Sequence, residues 1–221
     1  MPTGVTTEAV SSHEPSRSVE IELKFDVDDG VATPDWAAVP GVASVSAGEE
    51  RELDATYLDD DALTLARAGY ALRRRTGGPD AGWHIKGPHQ AGGGRVELQW
   101  PLDEELDASG VPTPIVAELA TVADASTFTP LARIQNTRIA YYLLSEAGEV
   151  VAEFADDHVR TLDERTGAER SWHEWEIELG PAGPVSAEER QAFFAAVEQA
   201  ALAAGARAAA SASKLARALG Y

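Results

Sequence analysis

The sequence predicts an α+β fold in which a closed eight-stranded antiparallel β-barrel forms a tunnel and helices pack outside it. Eight segments of strand length alternate apolar and charged residues, hairpin-length turns separate them, and helical segments with apolar stripes lie between or after them. The predicted strands span residues 19–25, 52–59, 70–76, 82–86, 94–101, 133–145, 150–162 and 171–179.

The helix predictions rest on capping signals and apolar spacing. Ser186 followed by Glu189 forms a capping box that begins a helix over 187–203, with Phe193 and Val197 on its apolar stripe. A last helix is predicted over 211–219, and shorter helical segments near 33–39, 61–67 and 115–122. Residues 1–18 are polar and predict a disordered segment, which leaves 19–221 as a single domain.

Composition excludes several classes of function. The formal net charge of -19 disfavours binding to nucleic acid or anionic lipid, both of which attract basic surfaces. The chain has no cysteine, so disulfides, thiol nucleophiles and thiolate metal sites are excluded. No apolar run reaches the roughly 20 residues that span a bilayer. The polar N-terminus does not read as a signal peptide, and we expect a cytoplasmic protein.

Each predicted strand has one charged face and one apolar face. Residues i and i+2 of a strand share a face, about 6.6 Å apart. The residues that share charged faces are Glu20, Glu22 and Lys24; Arg73 and Arg75; His84 and Lys86; Arg95, Glu97 and Gln99; and Glu174, Glu176 and Glu178. Their alternates are largely apolar, as in Val19, Ile21 and Leu23.

This alternation has two interpretations. An open antiparallel sheet would place its charged face in water, and any single strand here fits that reading. If the sheet closes with helices outside, the charged faces instead point inward, where unpaired charges are severely destabilising. Arginine and lysine side chains suit a polyanion, and clustered carboxylates suit a hard ion such as Mg²⁺ or Mn²⁺. A phosphate chain bound with hard metal ions would satisfy both sets.

The motifs resemble those of the CYTH domain, the triphosphate tunnel metalloenzymes. Glu20-Ile-Glu22-Leu-Lys24 resembles the Glu-x-Glu-x-Lys signature of that family. The similarity continues in order through Tyr57-Leu-Asp59, Ala71-Leu-Arg73-Arg-Arg75, Gly82-Trp-His-Ile-Lys86, Arg95-Val-Glu97, the basic strand at 133–138, the aspartate strand at 153–159, Glu174-Trp-Glu176-Ile-Glu178, and Ser213-Lys214. So many motifs in one order are a strong signal, whereas one would carry little weight.

The resemblance implies roles for individual residues. The residues implied to bind phosphate are Lys24, Arg73, Arg75, Lys86, Arg95, Arg133, Arg138 and Lys214. Those implied to hold Mg²⁺ or Mn²⁺ are Glu20, Glu22, Glu97, Asp157, Glu176 and Glu178, and the catalytic set is Lys86, Glu22 and Glu178.

Three of these assignments leave alternatives open. Asp156 and Asp157 face opposite ways, and parity with Glu153 favours Asp157 inside. Arg133 and Arg138 also differ in parity, and Arg138 matches the family better. Three carboxylates, at 174, 176 and 178, stand where the family motif has two.

The resemblance implies metal-dependent hydrolysis of a triphosphate, with inorganic triphosphate as the leading substrate. One metal ion would neutralise the phosphates, and a second would lower the pKa of the attacking water. The partner is then a triphosphate or polyphosphate, with no nucleic acid and no membrane. A class IV adenylate cyclase and a non-catalytic polyphosphate-binding module are the alternatives.

Overall fold

The computed structural model describes residues 14–90 and 93–221, and it contains eleven strands. They are β1 (Ser16–Glu20), β2 (Glu22–Asp26), β3 (Ser44–Val45), β4 (Glu49–Asp59), β5 (Ala71–Thr76), β6 (Gly82–His89), β7 (Arg95–Trp100), β8 (Thr129–Leu144), β9 (Val150–Asp163), β10 (Glu169–Leu179) and β11 (Arg207–Ala208). Most of the segment predicted to be disordered, residues 1–13, lies outside the described residues, and β1 begins three residues before the predicted strand.

Four α-helices occur in the described part of the chain. They are α1 (Thr64–Arg67), α2 (Thr113–Leu119), α3 (Ala187–Ala204) and α4 (Lys214–Ala218), and 3-10 turns lie at Trp36–Ala38 and Ala125–Thr127. The predicted capping box of α3 is confirmed, because Ser186 Oγ accepts from the Glu189 amide and the Glu189 carboxylate accepts from the Ser186 amide. None of these helices is long and apolar enough to cross a membrane.

All eleven strands belong to one antiparallel sheet with the order β1-β7-β6-β5-β4-β8-β9-β10-β2-β11, and β3 pairs with β8. The described part of the chain thus has eleven strands where eight were expected, and closure of the sheet into a barrel is not confirmed. The predicted strand 19–25 is broken at Ile21 into β1 and β2. These two strands are adjacent in the chain, yet β1 pairs with β7 and β2 pairs with β10, at opposite ends of the order.

Two apolar clusters cover the outer face of the sheet. Phe193 and Val197 of α3 pack with Phe25, Phe154 and Trp175 of the sheet. In the second cluster, α2 packs its buried Ile115 and Leu119 against strands β5 to β7. Because burying these apolar faces removes them from water, the helices hold the sheet from that side and leave its charged face free to line a site.

The last helix, α4, lies on the other face. Its Ala218, Leu215 and Leu219 pack with Tyr57 and Ile134, whose side chains project from the face opposite the outer clusters. The expectation that helices pack outside therefore holds for α2 and α3 but is wrong for α4. This placement brings Lys214, the first residue of α4, to the charged face.

Candidate functional site

The charged face of the sheet borders a cavity of about 560 Å³. Strands β1, β2, β4, β5, β6, β7, β8 and β10 contribute side chains to its wall, and α4 closes one side. Of the predicted site residues, those in the wall are Glu20, Glu22, Lys24, Arg73, Arg75, Lys86, Arg95, Arg138, Glu176, Glu178 and Lys214. The structure thus brings together positions that lie almost 200 residues apart in the sequence.

Lys214 is held against three carboxylates. The Ser213 hydroxyl caps α4 by accepting from the Ala216 amide at 3.1 Å, which fixes the start of the helix. The Lys214 Nζ then lies 2.9 Å from Asp157, 2.5 Å from Glu174 and 2.7 Å from Glu176. These carboxylates hold the pKa of Lys214 well above its ordinary value although burial opposes this.

Arg138 contacts the same carboxylates from β8. Its guanidinium donates to both oxygens of Asp157, at 2.8 and 2.7 Å, and to Glu176 at 2.6 Å. Burial would raise the pKa of Asp157 and of Glu176, but Lys214 and Arg138 lower both below their ordinary values. Lys214, Arg138 and the carboxylates Asp157, Glu174 and Glu176 form one connected group of ion pairs, which we call the Lys214 cluster.

Lys24 connects the Lys214 cluster with the Glu-x-Glu motif, and Lys86 connects that motif with Glu97. Lys24 lies 2.8 Å from Glu22 and also forms an ion pair with Glu176. Lys86 lies 2.5 Å from Glu20 and 3.8 Å from Glu97. Both lysines are therefore ordered in the cavity wall with their ammonium groups directed at carboxylates.

Glu178 has a different environment from Glu176, although only one residue separates them. In the described ranges, no cation lies within the 4.0 Å ion-pair distance of its carboxylate. Burial and the nearby charges of Glu20, Glu22 and Glu176 raise the pKa of Glu178 to about 8, and Lys86 only partly opposes them. Glu178 faces Glu22 across the β10–β2 pair. We call Glu20, Glu22 and Glu178 the carboxylate-rich end of the cavity.

Arg73 and Arg75 project into the cavity from β5. Arg73 donates to the Tyr57 hydroxyl at 3.3 Å and to Glu97 at 3.3 Å. Arg75 donates to the Asp80 carbonyl at 3.2 Å and pairs with the Asp80 carboxylate. Burial and the like charges of Arg73 and Arg138 lower the pKa of Arg75 to about 9. A negatively charged ligand would relieve this repulsion.

His84 and Glu97 lie behind these arginines. The His84 Nδ1 is 3.1 Å from Glu97, and its Nε2 is 3.0 Å from the Asp80 carbonyl. Burial lowers the pKa of His84 to about 4, so the ring is neutral at pH 7. His84 is thus a polar neighbour of the arginines and not part of the cavity wall.

Two predicted residues have other partners. Arg133 is a correction: its side chain is half exposed on the outer face, where it pairs with Asp54 at 2.5 Å, and it does not line the cavity. Arg95 lies in the cavity wall, but its guanidinium donates to the Gly87 and Gly69 carbonyls at 2.8 and 3.1 Å. It therefore braces two backbone segments.

The open alternatives now have geometric answers. Asp157 is fully buried among the cations, whereas Asp156 contacts His173 on the opposite face. Of the three carboxylates of β10, Glu174 and Glu176 pair with Lys214, whereas Glu178 faces Glu22.

Sequence reasoning left several wall residues out of the site. Tyr57 and Asp80 both contact its arginines. Arg51, with Glu153 at 3.3 Å and the Tyr142 hydroxyl at 2.9 Å, extends the charged face along β4, β8 and β9. Arg51 shares a strand face with Tyr57, and Glu153 shares one with Asp157, because each pair is an even number of positions apart. This spacing is the sequence signal that places Arg51 and Glu153 on the charged face.

Two groups of carboxylates are candidates for a metal ion. The ligand oxygens of Asp157, Glu174 and Glu176 lie within 4.8 Å of one another, but the Lys214 ammonium already occupies the position between them. At the carboxylate-rich end, Glu178 has no such partner among the described residues. An all-oxygen donor set with excess negative charge fits a hard divalent cation.

Comparison with known proteins gives a consistent result. The CYTH domain model matches residues 18–218. Two uncharacterised proteins of Mycobacterium tuberculosis match as well, MT2285 of strain CDC 1551 and Rv2226 of strain H37Rv. Each is 34% identical over an alignment of 183 residues, and the match covers 77% of this chain and 34% of theirs. The chain therefore spans about a third of the length of these curated relatives.

Solved structures resemble this fold at low sequence identity. The crystal structure of a "putative adenylate cyclase" from Bacillus halodurans has a TM-score of 0.61 at 18% identity, covering 91% of this chain and 97% of that one. A "putative adenylyl cyclase", HpAC1 from Hippeastrum, described as having a dominant triphosphatase activity, has a TM-score of 0.54 at 16% identity, with 91% and 94% covered. With a family match over nearly the whole chain, this protein belongs to the CYTH domain family.

Proposed function

We propose that this chain hydrolyses a triphosphate, with inorganic triphosphate as the leading substrate, using Mg²⁺ or Mn²⁺ in the charged cavity. One observation carries the proposal: a row of cations and a separate carboxylate-rich end share the wall of one cavity. A phosphate chain bound with a divalent cation complements both parts of that wall. The triphosphatase activity ascribed to the Hippeastrum protein, which shares the fold, supports the same reading.

The binding groups in this proposal are Lys24, Arg73, Arg75, Lys86, Arg138 and Lys214. Their carboxylate partners keep them charged and ordered before substrate arrives, which lowers the entropic cost of binding. Guanidinium groups match pairs of phosphate oxygens, and ammonium groups supply point charges between them. Arg95 donates to backbone carbonyls, so in this proposal it stabilises the cavity wall and does not bind phosphate.

The metal ligands in this proposal are Glu20, Glu22 and Glu178. Their fit rests on the donor chemistry, which is all carboxylate oxygen, and on the lack of an ion-pair partner for Glu178 in the described ranges. Glu97, Asp157 and Glu176, also predicted as ligands, are instead assigned to hold the cations that contact them. When bound, Mg²⁺ or Mn²⁺ supplies positive charge to the phosphates and lowers the pKa of a coordinated water.

The remaining chemistry belongs to the side chains. Lys86 would stabilise the charge that develops on the phosphate oxygens as the phosphoanhydride bond breaks. Glu22 and Glu178 would orient the attacking water. Catalysis then rests on positioning and charge stabilisation.

We also propose that the sheet closes around the cavity as an eight-stranded barrel, with residues 19–221 acting as one unit. The support is that β1 and β2, separated by a single residue, pair with the two opposite ends of the strand order. If β1 and β2 are counted as one strand, that strand would join β7 to β10 and complete a ring of eight strands. The two-residue strands β3 and β11 would then be additional to the ring.

A substrate panel tests the function. Inorganic triphosphate, thiamine triphosphate, ATP and long polyphosphate are each assayed for orthophosphate release with Mg²⁺, with Mn²⁺ and with EDTA. We expect metal-dependent release, fastest from inorganic triphosphate. Release from none of the four would contradict the proposal.

The Glu22→Gln variant tests the assigned carboxylate. We expect a loss of about 10²- to 10³-fold in kcat, in the range seen when one charge-stabilising group is removed from an active site. Glu52→Gln, at an exposed position of β4, is the matched control. A Glu22→Gln enzyme that binds triphosphate and turns over at the wild-type rate would show that Glu22 has no catalytic role.

A second candidate function is adenylate cyclisation. The cavity wall includes an apolar stretch, Leu53, Ala55 and Ile134, on which a nucleobase could pack. The name of the Bacillus halodurans structure points the same way. Incubation with ATP and Mn²⁺ separates the two functions, since a cyclase yields cyclic AMP and a triphosphatase yields orthophosphate.

A further inference from the structure

Two histidines and an aspartate converge on the outer face of the sheet, away from the charged cavity. His158 of β9 and His173 of β10 are directly opposite each other in the antiparallel pair, and their rings stack with centroids 4.1 Å apart. Asp29, in the turn after β2, reaches the same point. Its carboxylate lies 3.5 Å from the His173 Nδ1 and 4.0 Å from the His158 Nδ1.

His173 is buried and its Nδ1 has no hydrogen-bond partner among the described residues. The side chain is 7% exposed, and its other nitrogen, Nε2, lies 2.5 Å from the Asp156 carboxylate. Since a carboxylate accepts, Asp156 fixes the proton of a neutral ring on Nε2 and leaves a lone pair on Nδ1. This carboxylate–histidine arrangement is the one that orients histidine ligands toward metal ions.

The contact between Asp29 and His173 is unfavourable without a cation. The Asp29 oxygen and the Nδ1 lone pair are both acceptors, and they face each other at 3.5 Å. A tetrahedral ion with ligand bonds of about 2.0 to 2.1 Å separates its ligands by about 3.3 Å, close to this spacing. Asp29 is 88% exposed and His158 is 53% exposed, so Asp29 can shift and the His158 ring can turn out of the stack until its in-plane lone pair points at the same ion.

We propose that Asp29, His158 and His173 form a second metal site, specific for a divalent transition metal such as Zn²⁺. All three ligand atoms lie within 4.8 Å of one another. Nitrogen donors favour such ions over Mg²⁺, which prefers oxygen ligands, so the site differs in kind from the carboxylate-rich end of the cavity. Asp156 is a positioning residue in this site, because it acts on the metal only through His173.

Metal titration tests this site directly. Zn²⁺ is titrated into the metal-free protein by calorimetry in a large excess of Mg²⁺, which masks the cavity carboxylates. Co²⁺ in place of Zn²⁺ reports ligand geometry through its visible absorption, and the ring nitrogen NMR shifts of His158 and His173 report ligation. We expect one Zn²⁺ per chain, a tetrahedral Co²⁺ spectrum, and shifts at both Nδ1 atoms.

The variants separate this site from the cavity. His158→Asn and Asp29→Asn, both at exposed positions, should each weaken Zn²⁺ binding by at least about 10-fold and leave triphosphate hydrolysis unchanged. Asp156→Asn should weaken binding about 10- to 100-fold. Glu22→Gln is the matched control and should keep full Zn²⁺ affinity.

Either of two results would overturn the proposal. One is wild-type protein that takes up no Zn²⁺ in the presence of Mg²⁺, which would mean that a proton on His173 neutralises the two aspartates instead. The other is a His158→Asn variant that binds Zn²⁺ as tightly as the wild type. Neither result depends on the proposed hydrolase activity.

Discussion

The Lys214 cluster and the carboxylate-rich end of the cavity both contain buried glutamates, but the pKa values of these glutamates shift in opposite directions. Glu176 and Glu178 are two positions apart on β10 and share a face. Three cations, Lys24, Arg138 and Lys214, lower the pKa of Glu176 well below its ordinary value, whereas burial and like charges raise that of Glu178 to about 8. The position of the counter-ions therefore decides whether a buried carboxylate is structural or available to a ligand.

The largest expected effect is at the Lys214 cluster. Glu176→Gln removes the carboxylate that contacts three buried cations, so each of these cations loses one ion-pair partner. We expect a loss of about 3 kcal/mol or more in the free energy of unfolding, measured by urea denaturation at pH 7. If this variant were as stable as wild type, the cluster would not be the structural part of the site.

At Glu178, by contrast, replacing the carboxylate should stabilise the metal-free protein. Its folded pKa of about 8 exceeds the ordinary value of 4.5, so metal-free wild type should lose stability as pH rises from 4.5 to 8. Glu178→Gln removes this loss, so in EDTA its stability advantage over wild type should grow across that pH range. Added Mg²⁺ should stabilise wild type and not the variant. Urea midpoints measured against pH, with and without Mg²⁺, give both results, and a constant difference between the two proteins would contradict the assignment.

Replacing Arg75 tests whether the like charges of Arg73, Arg75 and Arg138 serve to bind an anionic ligand. Burial, Arg73 and Arg138 all disfavour its charged form. Arg75→Gln should therefore weaken triphosphate binding by about 10-fold or more while the melting temperature holds or rises. Calorimetric titration in EDTA measures the affinity without turnover. A variant that unfolds would mean that Arg75 and Asp80 form a structural pair instead.

Arg133 supplies the smallest expected effect. It pairs with Asp54 on the outer face, and its side chain is 50% exposed. Arg133→Gln should leave both the urea midpoint and the triphosphate affinity close to their wild-type values. The same titration used for Arg75→Gln serves as the measurement. A large loss of affinity would place Arg133 back among the binding residues.

The strands were largely predictable because their two faces differ so sharply. The alternation of charged and apolar residues located the eight main segments, and the parity of Glu153 selected Asp157 over Asp156. The break at Ile21 was not predictable, since the alternation runs through it without interruption. The short strands β3 and β11 have two residues each, too few to show any period.

The sequence predicted most of the charged residues that line the cavity, but not which of them pair with one another. Sequence spacing placed Glu174, Glu176 and Glu178 on one face, but no local signal indicates which of them Lys214 contacts. That depends on where α4 docks, and a five-residue helix with apolar and basic residues has no sequence feature that distinguishes the two faces of a sheet. The His158 and His173 pair was likewise invisible, because their opposition depends on the β9–β10 register.

The separation of β1 and β2 by Ile21 has a consequence for folding. Lys24 and Glu176, which contact each other, are 152 positions apart in the chain. During synthesis from the ribosome, β2 emerges well before its partner β10. The cavity is therefore completed only once β10 has been made, and until then the apolar side chains Leu23 and Phe25 lack the strand that pairs with them.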